Sequence, residues 1–294
     1  MISADRPRRR DRLLDLGSRR FWHVVGRRVD LAGREAWLDA PVSAASRVAG
    51  DWVPGETARH GGVVGDLGAQ DPAAGLLPSM AALDGPGFEA RRLRPEVRDF
   101  YEHTAGWKLR TWSEWAPLFW PGGEIVARFW GRRVEQLALP MRPLESARGM
   151  DSQVVPIRDA AGTQVSAAWM RTLRGSGRTV FSGAYSVRTL PGASRPSVHV
   201  AFPLESGNVQ VFLRPTVTDD GGLVLDSPHG RWGDNGAYVV VRDGGDHAAR
   251  VPVHERFHVY VDPDGVLRTD HDLRIGPARA MRLHYELTPS SALS

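Results

Sequence analysis

SVHVAFPLESGNVQVFLRPTV, residues 197–217, is the stretch that decides the fold class. Apolar side chains occupy every second position on both sides of the short turn signal ESG. A period of two residues is typical of β-strands with one buried face. The stretch therefore predicts an antiparallel hairpin whose apolar face is formed by Val198, Val200, Phe202, Leu204, Val209, Val211, Leu213 and Val217.

The same alternation continues on both sides of this hairpin and predicts a β domain over 150–288. Turn signals such as GSG, DDG and DPDG separate the segments, and helical crossovers between them are not evident. Hairpin connections favour a meander that closes on itself. The predicted fold is α+β and predominantly β, an antiparallel meander of about ten strands forming a barrel or strongly bent sheet. The predicted strands are 152–158, 163–174, 178–189, 197–204, 208–217, 222–226, 237–242, 249–261, 265–274 and 280–287.

Two segments of different character precede the β domain. Residues 1–94 combine a basic amphipathic pattern with a lead-in over 40–94 that is rich in Gly, Ala and Pro, for which we expect a flexible or loosely wrapped chain. Residues 95–140 contain five of the ten Trp, and Pro95 suits the first turn of a helix. We expect Trp-rich helices there, interrupted at Pro117 and ended at Pro140, that pack against the sheet.

Composition excludes several classes of function. The chain has no Cys, which removes disulfides, thiolate zinc sites and a Cys nucleophile. Phosphate-loop, dinucleotide and nucleophile-elbow motifs are not found in its 294 residues. An apolar run of membrane-spanning length and a signal-peptide core are also not found, so a cytoplasmic location is predicted. No cofactor and no specific nucleic-acid partner are predicted.

Positive charge is concentrated at the N-terminus. Residues 1–34 contain ten Arg and four Asp, whereas the whole chain carries a net charge of +4. A basic amphipathic helix is typical of weak contact with an anionic membrane surface. A helix docked on the protein body and otherwise solvated would have the same pattern, so both interpretations stay open. The membrane interpretation makes the protein a peripheral or scaffold protein.

Residues His254 to His258 spell H-E-x-x-H, the pattern of zinc hydrolases. On a helix the two His share one face and bind zinc, and Glu255 acts as general base. The flanking VPV and VYVD instead predict a strand, on which residues four apart lie roughly 13 Å apart. Zinc is predicted only under the helical alternative, with His254 and His258 as its ligands.

On a strand the same region gives a second hypothesis. His254, His258 and Tyr260 share one face, and the next two strands add further polar side chains in the same phase. If this face points into the barrel, it forms a cavity suited to acid–base chemistry. If it points outward, it is an ordinary solvated sheet face. The catalytic candidates are His254, Glu255, His258 and His284, and the ligand-binding candidates are Tyr260, Arg268 and Asp270.

The longest loop within the β region, 226–236, supplies three more ligand-binding candidates. His229, Arg231 and Trp232 combine an imidazole, a cation and an aromatic ring on a connection rich in Gly. Such a loop can gate a cavity at a barrel mouth, or it can be a plain surface loop.

Four segments together resemble an uncharacterised family of hypothetical proteins from high-GC Gram-positive bacteria. They are FYEHTAGW (100–107), RRVEQLALPM (132–141), FPLESGNVQVFLRP (202–215) and HVYVDPDGVLRTDH (258–271). The barrel is also similar to lipocalins and calycins, by architecture only. These resemblances imply no site residue. From the predicted barrel we expect binding of a small, largely apolar molecule in its cavity, with lyase- or isomerase-type chemistry as an extension.

Overall fold

The computed structural model describes residues 20–44, 50–64, 71–115, 149–175, 177 and 179–290. The named helices are α1 (Trp52–Arg59) and α2 (Pro95–Glu102), and residues 20–25 are also helical. The strands are β1 (Arg27–Arg28), β2 (Trp107–Trp115), β3 (Met150–Arg158), β4 (Gln164–Leu173), β5 (Thr179–Arg188), β6 (Ser197–Leu204), β7 (Gly207–Val217), β8 (Leu223–Asp226), β9 (Gly236–Val241), β10 (His247–Val251), β11 (Val253–Val261), β12 (Leu267–Ile275) and β13 (Ala278–Pro289).

Ten of the strands form a nearly closed antiparallel barrel in the order β2-β13-β12-β11-β8-β7-β6-β5-β4-β3. The remaining strands branch from β7. Residues 207–212 of β7 pair with β9, and residues 214–217, on the same edge of β7, pair with β8. β10 pairs with β9, and β1 pairs with β10. The predominantly β barrel expected from the sequence is therefore confirmed.

All ten predicted strands are present, and one of them is divided. The segment predicted as 249–261 forms β10 and β11, with Pro252 between them. Proline has no backbone N–H to donate to a neighbouring strand, so it ends the pairing of β10 with β9. The chain then leaves that branch, and β11 pairs with β8 and β12 in the barrel wall.

The helix expected to continue through Trp107 and Trp112 is wrong. Helix α2 ends at Glu102, and residues from Trp107 onward form β2, which pairs with β13 along nine residues. Trp and Thr suit a pleated strand, and the edge of β13 offers the backbone partners that a strand needs. Long-range pairing therefore overrides a local helical pattern. The second predicted helix, ending before Pro140, lies outside the described residues.

The loose lead-in expected for 40–94 is wrong for residues 71–94. Leu77, Met80 and Leu83 are fully buried in the main core. The Leu77 N–H donates to the Tyr101 carbonyl, and the Met80 N–H donates to the Glu102 carboxylate at 2.7 Å. This segment and α2 together close the end of the barrel that holds the β7–β8 turn, where the Arg94 N–H donates to the Gly221 carbonyl.

The outer face of the barrel beside β6 and β7 is covered by residues 31–41. A buried polar network attaches this segment: Gln210 Nε2 donates to the Leu38 carbonyl at 2.6 Å, and Asn208 Nδ2 donates to the Ala40 carbonyl at 3.2 Å. His199 lies between Gln210 Oε1 at 2.8 Å and Ser186 Oγ at 2.9 Å. Since Gln210 Oε1 only accepts, His199 Nε2 carries the proton and Nδ1 accepts from Ser186. Burial lowers the pKa of His199 well below its usual value.

Candidate functional site

The orientation of the last three barrel strands decides which predicted residues can form a cavity. On β11 the side chains of Glu255 and Phe257 line the barrel interior, and on β12 those of Thr269, His271 and Leu273 do so. Neighbouring residues on a strand point to opposite faces. Most of the predicted polar candidates occupy the alternate positions, so their side chains point outward. The prediction that they line the cavity is therefore wrong for His258, Tyr260, Arg268, Asp270 and His284.

On that outer face the polar side chains pair with one another across strands. His284 Nδ1 lies 2.8 Å from Asp270 Oδ1, and Arg268 bonds to Asp262 and to Glu286. The His258 ring stacks on Tyr260 at 4.8 Å. The His284–Asp270 and Arg268–Glu286 contacts are cross-strand pairs, and the His258–Tyr260 contact lies along β11; all are ordinary contacts of a solvated sheet face.

The H-E-x-x-H motif lies within β11, so the condition for the zinc site is not met. On this strand His254 and His258 are four residues apart, a separation of roughly 13 Å, whereas zinc–nitrogen bonds are about 2 Å long. The zinc-hydrolase alternative is therefore wrong for this motif. Glu255, between the two His, has its side chain on the opposite face, inside the barrel.

The loop 226–236 brings two candidates together that the sequence had placed in separate sites. The rings of His229 and His254 are 3.7 Å apart, and His254 Nδ1 lies 3.0 Å from the Ser227 carbonyl. Burial lowers the pKa of His254. Trp232 packs against Trp37 on the outer side of the barrel, so the structure places it away from the barrel interior. Arg231 is exposed.

A cavity lies inside the barrel, between the inward faces of the strands and the closing segment of α2. The volume open to the centre of a water-sized sphere is about 90 Å³. Its lining is mostly aromatic and aliphatic, including Phe100, Trp169, Phe181, Phe202 and Phe257. Three ionisable side chains other than tyrosine interrupt this lining, namely Arg171, Glu255 and His271.

Arg171 is a buried cation in these apolar surroundings, with 4% of its surface exposed. Its guanidinium carbon lies 4.0 Å from the ring centre of Trp169 and 5.4 Å from that of Tyr285. Burial raises the pKa of Tyr285, and the charge of Arg171 and a hydrogen bond from it oppose that rise. Arg171 Nε has no hydrogen-bond partner, and Arg171 forms no ion pair with a carboxylate of the described residues. Among the described residues the guanidinium therefore has no carboxylate in direct contact, although Glu255 lines the same cavity.

Glu255 and His271 form the second polar feature of the cavity. His271 Nε2 lies 3.4 Å from Glu255 Oε2, and the two residues are 7% and 6% exposed. The imidazole stacks on Phe257 at 3.8 Å with an angle of 18° between the rings. The contact between His271 Nε2 and Glu255 Oε2 does not have the geometry of a hydrogen bond. Neither ring nitrogen of His271 has a hydrogen-bond partner among the described residues. A buried polar group of this kind calls for a partner that the described chain does not supply.

Sequence reasoning missed Arg171 and His271, although the sequence contains a signal for both. Along 163–174 the period of two places Arg171 in phase with Ala167, Trp169 and Leu173. His271 is likewise in phase with Leu267 and Leu273. An ionisable residue in the apolar phase of a strand is costly to bury, so its presence there indicates a function.

Comparison with known proteins gives one informative similarity. No protein-family model and no solved structure match the chain. The uncharacterised membrane protein YndJ of Bacillus subtilis is 27% identical over 226 residues, which are 73% of this chain and 38% of YndJ. The chain therefore spans well under half the length of this relative. The similarity is to an uncharacterised protein, as expected, but the resemblance to a high-GC Gram-positive family is not supported.

These comparisons do not test the predicted cytoplasmic location or the predicted likeness to lipocalins. In the part of the chain that the structure describes, no helix is both long and apolar enough to span a bilayer. The cytoplasmic location and the lipocalin-like character stay predictions, because the relative is named as a membrane protein and no solved structure matches.

Proposed function

We propose that the barrel interior binds a small molecule with an apolar body and one carboxylate, which Arg171 holds. The observation that carries this proposal is the buried Arg171 guanidinium, which faces an aromatic cavity and has no carboxylate of the described residues in contact with it. Burying an unpaired charge is costly, and an anionic ligand removes that cost when it binds. Arginine also suits carboxylates because its planar N–H groups match the two oxygens.

The size of the cavity limits the ligand. Its volume of about 90 Å³ corresponds to roughly six to nine water molecules at about 10–15 Å³ each, hence to roughly 180–270 Å³ of liquid. At the packing density of protein interiors, about 0.74, this space holds roughly 130–200 Å³ of atoms, and a linear carboxylate of about ten carbons lies at the upper end of that range. Decanoate is therefore the probe that we choose for the site.

Calorimetric titration with decanoate tests the proposal. We expect decanoate to bind the full chain at least tenfold more tightly than methyl decanoate or decylamine, which share the apolar body but lack the negative charge. Charge-assisted hydrogen bonds in a buried site account for this difference. Equal affinities for all three compounds would show that the cavity does not select a carboxylate.

The acid–base chemistry considered for the barrel keeps one predicted candidate, Glu255, and adds His271, which was not predicted. His258 and His284 lie on the outer face, whereas Glu255 and His271 line the cavity. An imidazole beside a carboxylate is the usual arrangement for moving a proton. Any lyase or isomerase activity of this protein would therefore use Glu255 and His271.

A second proposed role, contact with an anionic membrane surface, is favoured by a different observation. Phe21, Val24 and Val25 expose 52%, 84% and 56% of their surface near the start of the described chain. Arg20 and Arg28, both exposed, flank them. Apolar side chains beside arginines suit the boundary between anionic headgroups and acyl chains. The name of YndJ, a membrane protein, agrees with this role.

Co-sedimentation with vesicles tests the membrane role. We expect binding to phosphatidylglycerol-containing vesicles to weaken at least tenfold when Phe21, Val24 and Val25 are all changed to Ser, because each buried side chain contributes about 1.5–3 kcal/mol. Val63→Ser, which changes a residue that is 93% exposed elsewhere, is the matched control and should bind like the wild type. Unchanged binding of the triple variant would refute contact through these residues.

A further inference from the structure

The pair Glu255–His271 remains unexplained by a simple apolar carboxylate. Both residues are more than nine-tenths buried and both face the cavity that contains Arg171. Arg171 would hold the ligand's carboxylate, whereas a saturated hydrocarbon body would leave both nitrogens of His271 without a partner. An unsatisfied polar group in a buried site costs binding energy, so this pair selects for a ligand that satisfies it.

We propose that the ligand's apolar body carries a hydroxyl group that bridges His271 and Glu255. This inference rests on the proposed function and specifies its ligand class as a hydroxylated apolar carboxylate. A hydroxyl both donates and accepts, so it can donate to the Glu255 carboxylate and accept from the His271 N–H. The two side-chain atoms are 3.4 Å apart, so one oxygen at about 2.8 Å from each lies beside the line that joins them.

Other ligand groups satisfy this pair less well. A ketone oxygen accepts from His271 but offers nothing to Glu255, whereas a hydroxyl serves both groups without adding a charge to the cavity. A second carboxylate would lie against Glu255, where two negative charges repel. The stacking of Phe257 on His271 fixes the plane of the imidazole, so the ring presents its nitrogens in a defined direction.

Calorimetry with decanoates that carry one hydroxyl at successive carbon positions tests this inference. We expect one positional isomer to bind the wild-type chain at least tenfold more tightly than decanoate. In His271→Phe and in Glu255→Gln, the ratio between that isomer and decanoate should fall to about one. His284→Phe, which changes a histidine on the outer face, is the matched control and should keep the wild-type ratio.

The outcomes separate this inference from the proposed function. If decanoate binds more tightly than methyl decanoate but no hydroxylated isomer gains affinity, the hydroxyl bridge is refuted and the carboxylate site stands. If no acid of the series binds, the proposed function fails, and the bridge fails with it. The comparison of isomers on the wild-type chain needs no variant, so it decides the question even if a substitution prevents folding.

Discussion

Replacing Arg171 by Met is expected to weaken decanoate binding by at least about 30-fold while leaving the ligand-free protein as stable as the wild type or more stable. Removing one partner of a buried charge pair costs about 2–5 kcal/mol, and 1.4 kcal/mol is a factor of ten. Without ligand, the same substitution removes a buried cation that has no carboxylate of the described residues in contact with it, and an apolar residue of similar size is then neutral or stabilising. A purely structural arginine would give the opposite result for stability.

Arg256→Met is the matched control for this experiment. Arg256 is exposed, and its strand β11 contributes the inward-facing Glu255 and Phe257 on either side of it. Calorimetry should give wild-type affinity for this control, and thermal unfolding should give a melting temperature close to that of the wild type. Equal loss of affinity in both variants, or a large loss of stability in Arg171→Met alone, would contradict the assignment of Arg171 to the ligand.

The unfolding free energy is expected to fall as the pH falls below about 6.5, and His199 should account for up to one proton of this dependence. His199 is 1% exposed, and burial and then the charge of Arg188 lower its pKa well below the usual value. Between the two pKa values the unfolded chain binds one more proton than the folded chain. The stabilisation is therefore complete above about pH 6.5 and is lost by up to about 1.4 kcal/mol for each pH unit below it.

Urea unfolding of the wild type and of His199→Asn at several pH values measures this contribution. Asn keeps a polar side chain in the network with Ser186 and Gln210 but does not titrate. The variant should lose less stability than the wild type between pH 6.5 and pH 4.5, whatever its stability at neutral pH. His103→Asn, a change at an exposed position, is the control and should keep the wild-type slope. Identical slopes for wild type and His199→Asn would contradict this account, because His199 would then bind its proton as readily in the folded protein as in the unfolded chain.

The alternation of apolar residues was enough to predict the strands but not the partners of every segment. The hairpin of β6 and β7 is local, so its turn and its two faces were visible in the sequence. Strand β2 pairs with β13, about 170 residues later in the chain, and this partner is not visible in the local pattern. The burial of residues 71–94 was missed for a similar reason, because their contacts are with a barrel that forms later in the chain.

The candidate site was harder to predict because the number of polar residues does not show which face of a strand they occupy. The sequence drew attention to the many polar side chains around His258 and His284, which the barrel places on its outer face. The informative residues were the few ionisable ones in the apolar phase, Arg171 and His271. Glu255 was predicted within a zinc motif, yet the strand turns it toward the cavity and away from His254. A single charge among apolar neighbours carries more information than many charges on a solvated face.

The most direct test of the central claim is a crystal structure of the full chain with decanoate. The proposal predicts electron density inside the barrel, with the carboxylate within hydrogen-bond distance of the Arg171 guanidinium and the alkyl chain among Trp169, Phe181 and Phe202. Decanoate bound only on the outer face, or a carboxylate directed away from Arg171, would contradict it.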